Sequence, residues 1–153
     1  MVCLIDTGMR PSELYAVQAR DFNAKTGAIH IWQNKTEHPR TIYATPRVKA
    51  ILAARVQSTA PGTPLLPYDN GWLRNTWDRA RVHLKLAHDP QFIPYVCRHT
   101  CASRLIQRGA PLPVVKDWMG HKSVQMTMRY AHLSPTKLQA AAEALARHGD
   151  DCP

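Results

Sequence analysis

Residues 28–33 (AIHIWQ) and 40–45 (RTIYAT) are rich in β-branched and aromatic side chains, and the polar segment 34–39 lies between them. That pattern predicts one β-hairpin. A lone two-stranded ribbon is marginal in water, so the rest of the chain must cover it, and the rest reads as helix. Pro11 suits the first helical position and Glu13 the first turn of a helix over 11–19. Thr45 and Pro46 open a helix to about Val56 with Val48, Ile51 and Leu52 on one face. Pro61, Gly62, Pro64 and Pro67 mark 58–70 as a surface loop, with room for a short strand at Leu65 and Leu66. Asn70 caps a helix over 71–87 whose apolar face is Leu73, Trp77, Ala80 and Leu84. Further helices are expected over 95–108, stopped by Gly109, over 112–119, stopped by Gly120, and from Ser123 to about 131. A last one runs from Ser134 and Pro135 to Gly149. The fold class is therefore α+β, mostly helical with a small antiparallel sheet.

At 153 residues the chain is the size of one domain, and 44% apolar content gives it a core. No apolar run approaches the roughly 20 residues that a membrane helix needs, and the stretch from Val2 to Asp6 is too short for a signal peptide. The expectation is a soluble, cytoplasmic protein without a membrane partner. Cys3, Cys97, Cys101 and Cys152 include no C-x-x-C pair, which argues against zinc. Cys97 and Cys101, four apart on a helix, read as small buried thiols. Twenty Lys and Arg against eleven Asp and Glu give a net charge of +9. That excess attracts polyanions, with nucleic acid the foremost candidate.

Four segments carry candidate chemistry. They are TGMRPSEL from Thr7, the hairpin tip Asn34-Lys35-Thr36, YVCRHTCAS from Tyr95, and MGHKS from Met119 with RYAH from Arg129. Singly, each polar residue has an ordinary reading: a surface arginine at Arg10, a structural ion pair at Arg98, a solvated lysine at Lys35, a helix-end histidine at His121, a core phenol at Tyr130. Together, in this order and register, the segments resemble the signatures of the tyrosine recombinase (phage integrase) family across nearly the whole chain.

The chemistry explains the residue types. Breaking a phosphodiester without a metal needs a nucleophile, charge neutralisation on the phosphoryl oxygens and a proton for the leaving oxygen. Arginine forks supply the charge. The resemblance implies a DNA breaking-rejoining catalytic fold, double-stranded DNA as partner, and no metal or cofactor. It implies Tyr130 as the nucleophile of a 3′-phosphotyrosine intermediate, Arg10 and Arg98 on the scissile phosphate, and His121 donating to it. It makes Lys35 the general acid and Glu13 an orienting carboxylate. His99 is expected to support its own helix through a buried hydrogen bond, and His132 to cap or pack. Lys35, Arg40, Arg74, Arg81 and Lys122 are candidate DNA contacts, and Arg74 and Arg81 share the 71–87 helix with Arg79 and Lys85; a solvated basic face is the alternative. Trp72, Trp77 and Trp118 are expected in the core, and Trp32 is open to DNA contact.

The chain departs from the family pattern at Tyr95, where the family usually has a histidine three residues before the arginine. A phenol (about pKa 10) is a poor base near neutrality, and His121 is the candidate to share the acceptor role. The resemblance further implies that 1–149 is a catalytic domain lacking its first helix and the amino-terminal core-binding domain, with 150–153 as a tail. The helix over 135–148, with Leu138, Ala141, Ala142 and Leu145 on one face, is implied to pack on its own domain or to dock on a neighbouring protomer. Two other readings remain: a DNA-binding module without catalysis, and a type IB topoisomerase-like enzyme.

Overall fold

The computed structural model describes residues 1–32 and 39–134. Its first two helices are α1 (Val2–Thr7) and α2 (Pro11–Ala16), joined by a tight turn at Gly8. Gly8 has φ 64°, and its amide donates to the Leu4 carbonyl at 3.0 Å. A Cβ there would lie 2.9 Å from the Met119 Sδ and 3.0 Å from the Cys101 Sγ. Glycine therefore serves twice, by reaching the left-handed region and by letting the turn press against two other helices.

The hairpin forms as expected, with shorter strands, β1 (Ala28–Ile31) and β2 (Arg40–Tyr43). They are antiparallel, with Ile29 opposite Ile42 and Ile31 opposite Arg40. Ile29, Ile31 and Ile42 are buried while His30, Thr41 and Tyr43 face out, the period-2 signature of a half-covered ribbon. Leu65 and Leu66 form no strand, although Gln18 and Pro64 make a single β-bridge beside them and Leu65 donates to the Val17 carbonyl at 2.8 Å.

Five helices follow: α3 (Pro46–Ser58), α4 (Asn70–His83), α5 (Val96–Gln107), α6 (Leu112–Met119) and the single turn α7 (Gln125–Met128). Helix α4 is capped by Asp69 rather than Asn70, its carboxylate accepting from the Trp72 amide at 2.6 Å. It stops at His83, four residues early, because Lys85 turns left-handed at φ 59°, and Leu84 is consequently exposed. Of the tryptophans, Trp77 is buried and donates to the Phe92 carbonyl at 2.7 Å. Trp72 is 47% exposed and stacks on Tyr68, so it is not a core residue. Trp32 is exposed and its indole donates to Asp21 at 2.6 Å.

The core has two parts. One gathers α1 to α4 and the hairpin around Leu4, Leu14, Ile29, Ile42, Val48 and Leu52. The other gathers Cys101, Ala102, Ile106, Val115, Met119 and Tyr130. Trp118 packs against both and donates to the Thr7 carbonyl at 2.9 Å. Cys3, Cys97 and Cys101 are free and buried, and burial pushes the Cys101 thiol up to about 11, so it stays protonated. Among the described residues no helix is long and apolar enough to cross a membrane. Lys35, Cys152, the helix expected over 135–148 and the 150–153 tail lie outside them.

Candidate active site

The Arg10 corner is built by helix capping. Arg10 is the N-cap of α2, and its amide donates to Glu13 Oε2 at 2.8 Å while its own Nη1 reaches Oε1 at 3.2 Å. The Glu13 side chain is 0% exposed. It also receives a two-pronged fork from β2, Arg40 Nη1 to Oε1 at 3.0 Å and Nη2 to Oε2 at 2.8 Å. Burial alone would raise the Glu13 carboxyl; the hydrogen bonds and charge of Arg40, then those of Arg10, outweigh it and hold the carboxyl below its usual range.

This corrects the reading of Arg40 as a DNA contact. Its side chain is 10% exposed, and its Nε donates to the Trp118 carbonyl at 3.1 Å. A period-2 signal could have shown it, since Arg40 shares the core face of β2 with Ile42. The guanidinium also lies where a Cβ on Gly120 would sit, 2.7 Å from Nη1. Arg81 is half-buried, and its Nη2 donates to the Ala87 and Asp89 carbonyls at 2.7 and 2.9 Å, tying down the loop after α4. Arg74 and Lys122 are exposed.

Arg98, near the start of α5, is 3% exposed. Its Nη1 donates to the Gly8 carbonyl at 2.6 Å and its Nη2 to the Met119 carbonyl. Its Nε is buried with no protein partner among the described residues, and no described carboxylate comes within ion-pair distance. The structural ion pair is therefore not what holds it; two backbone carbonyls do. Burial, then the positive charge of Arg10, push the Arg98 guanidinium down from its ordinary value. A buried cation with no carboxylate in direct contact is costly, and an arriving anion would relieve that cost.

His121 follows Gly120, whose φ of 62° ends α6. The imidazole is buried, its Nδ1 in a 2.9 Å hydrogen bond with the Thr127 hydroxyl of α7. Thr127 is fully buried and was not among the sequence candidates.

Tyr130 is not within a helix. It follows α7 and leads into a 3-10 turn over Ala131–Leu133. Met126 and Met128 are exposed, but Tyr130 is 7% exposed within the second core cluster. Its hydroxyl lies 2.5 Å from His99 Nδ1. The hydrogen bond of His99 thus does not support its own helix, as expected from sequence; it crosses to a residue 31 positions away. No spacing within α5 could have revealed that partner. The Tyr95 ring stands edge-on to His99, with centroids 4.9 Å apart at 80°, and is exposed. Burial raises the Tyr130 phenol, and Arg129 pulls against it, with Arg98 also acting in that direction. Burial lowers His99, assisted by the charges of Arg129 and Arg98.

Arg98 thus ties the α1–α2 turn to the end of α6, His99 ties α5 to Tyr130 after α7, Arg10 and Glu13 lie within reach of the Arg98 charge, and His121 joins the end of α6 to α7 through Thr127. Among the described residues no cluster of three or more metal-ligating side chains occurs.

Residues 1–137 match the model of the phage integrase family. The tyrosine recombinase XerA of Saccharolobus solfataricus is 27% identical over 85% of this chain and 43% of its own. The integrase of Salmonella phage P22 is 28% identical over 92% of this chain and 40% of its own. The chain spans less than half the length of these relatives. In three dimensions it resembles the Tn1549 transposon integrase, solved in complex with circular intermediate DNA. The TM-score is 0.74 over 95% of this chain and 57% of that one, at 19% identity.

Proposed function

Because this chain belongs to the phage integrase family, with the fold of tyrosine recombinase catalytic domains, we propose that it cleaves and rejoins double-stranded DNA through a phosphotyrosine at Tyr130. One observation carries the reading. The Tyr130 hydroxyl, hydrogen-bonded to His99, also lies within reach of the charge of Arg98, a buried cation with an orphaned donor, so the proposed nucleophile and that cation share one site.

On this reading the scissile phosphate enters beside Arg98 and Arg10. Their fixed charge offsets the negative charge that grows on the non-bridging oxygens, and each such preorganised donor is worth about 10²–10³ in rate. His121, steadied by Thr127, donates to the same phosphate. Tyr130 attacks phosphorus in line, and the 5′ oxygen leaves with a proton from Lys35. Glu13 and Arg40 act behind Arg10, fixing the corner from which it projects. Arginine forks do here what a metal would otherwise do, so the scheme needs no cofactor. Arg74 and Lys122 contact the DNA backbone, and the 135–148 segment docks on a neighbouring protomer. The protein works as a soluble, cytoplasmic, DNA-associated enzyme.

A library of nicked suicide duplexes with a randomised core tests this whatever the target sequence. The full chain should form a covalent protein–DNA band that survives denaturation, and Tyr130→Phe should form none. A band that persists in Tyr130→Phe, or no band with the unaltered protein, refutes the proposal. Relaxation of supercoiled DNA irrespective of sequence would point instead to topoisomerase-like activity.

A further inference from the structure

Helix α5 turns about 100° per residue, so Arg98 and His99 project in different directions from adjacent positions. Arg98 reaches inward to the Gly8 and Met119 carbonyls. His99 reaches across to Tyr130 at 2.5 Å, the one hydrogen bond of the phenol among those described. The phenol that stands where a basic side chain is expected, Tyr95, makes no hydrogen bond to Tyr130; its ring edge packs on the His99 imidazole instead.

We propose that His99 is a catalytic proton acceptor for Tyr130, receiving the phenolic proton on Nδ1 during cleavage and returning it during rejoining. The inference rests on the strand-transfer reading above. In cleavage the Tyr130 oxygen–phosphorus bond forms as its proton passes to Nδ1, and the phosphorus–5′ oxygen bond breaks. Rejoining runs the same steps backwards, so the His99 imidazolium protonates the departing phenolate.

The surroundings suit the task. The groups facing His99 are Arg98 and Tyr95 on its own side, and Arg129 and Tyr130 from the segment after α7. Burial and the two guanidiniums disfavour a resting imidazolium, so the ring waits in the neutral, accepting form. The same Arg129 favours the phenolate once the proton has gone. The Tyr95 ring, at 80° to the imidazole, braces it against rotation. Acceptance on Nδ1 requires the tautomer with its proton on Nε2.

Two measurements test the inference. Long-range nitrogen–proton NMR of the full chain, without DNA, should show Nδ1 of His99 unprotonated at neutral pH. Its signal should shift in Tyr130→Phe, where the imidazole should also titrate at higher pH. A protonated Nδ1, or a signal indifferent to Tyr130→Phe, overturns it. The second measurement uses DNA recovered from the covalent band. His99→Gln and His99→Ala should slow both cleavage and rejoining by at least about 10²-fold. Their rates should climb with hydroxide where the unaltered protein is flat, and added imidazole should restore His99→Ala. Replacing the bridging 5′ oxygen by sulfur, which needs no acid to leave, should not restore either variant. Unchanged rates and pH profile, or rescue by sulfur, overturn the acceptor role. Loss of the Tyr130-dependent band from the unaltered protein instead sinks the function it rests on, whatever the NMR shows.

Discussion

Glu13→Gln should cost stability far more than its conservative size suggests. The Glu13 carboxylate is fully buried and receives the Arg10 amide, one Arg10 nitrogen and both Arg40 terminal nitrogens. A glutamine keeps one acceptor oxygen and turns an NH2 donor toward the donors of Arg40. It also leaves the Arg40 guanidinium, 10% exposed, without its carboxylate. Breaking a buried pair from one side costs about 3–5 kcal/mol. We expect about 3 kcal/mol here, because one oxygen remains. In urea, where a small protein has a slope of about 1–3 kcal/mol per molar, the midpoint should fall by at least about 1 M. Tryptophan fluorescence follows it through Trp118, whose carbonyl accepts from Arg40. Pairing Glu13→Leu with Arg40→Met should recover much of the loss, since removing both charges removes the cost of burying either. The pH dependence gives an internal control. The folded Glu13 carboxyl lies below its ordinary value, so its stabilisation is present above the unfolded carboxylate range, about 4.3. It is lost as pH falls through the lower folded value. That acid-side loss should be smaller in Glu13→Gln. A midpoint change worth less than about 1 kcal/mol, with an unaltered acid limb, would refute the view that Glu13 anchors this corner.

Gly8→Ala should destabilise the fold by about 2 kcal/mol, since φ is 64° and the new Cβ would press on Met119 and Cys101; a thermal melt indistinguishable from the original would count against the close approach. Arg98→Ala should reduce covalent-complex formation by about 10²–10³ while DNA retention in a gel shift falls little; unchanged cleavage would remove Arg98 from the site. Tyr95→His should preserve or raise the cleavage rate, because a histidine can pack on His99 and can also accept a proton; a large loss would mean that the Tyr95 hydroxyl itself has a task.

Residues 28–45 and the glycines at 109 and 120 made the hairpin and two helix ends readable, because alternation and backbone stereochemistry act over a few neighbours. The candidate site was readable in a different way, from the order of polar segments around Arg10, Arg98, His121 and Tyr130. Neither kind of signal records where a long side chain points once the layers close. Arg40 alternates with Ile42 on the inward face and meets a carboxylate 27 positions away, so an apparent DNA contact became an anchor for Glu13. His99 was expected to serve its own helix, yet its partner is set by the way the segment after α7 folds back over α5. Local patterns determined the elements and the residue types available for chemistry. Which polar atom faces which depended on burial, because a buried donor must find an acceptor somewhere in the whole chain, and only the packed tertiary structure decides which one is within reach.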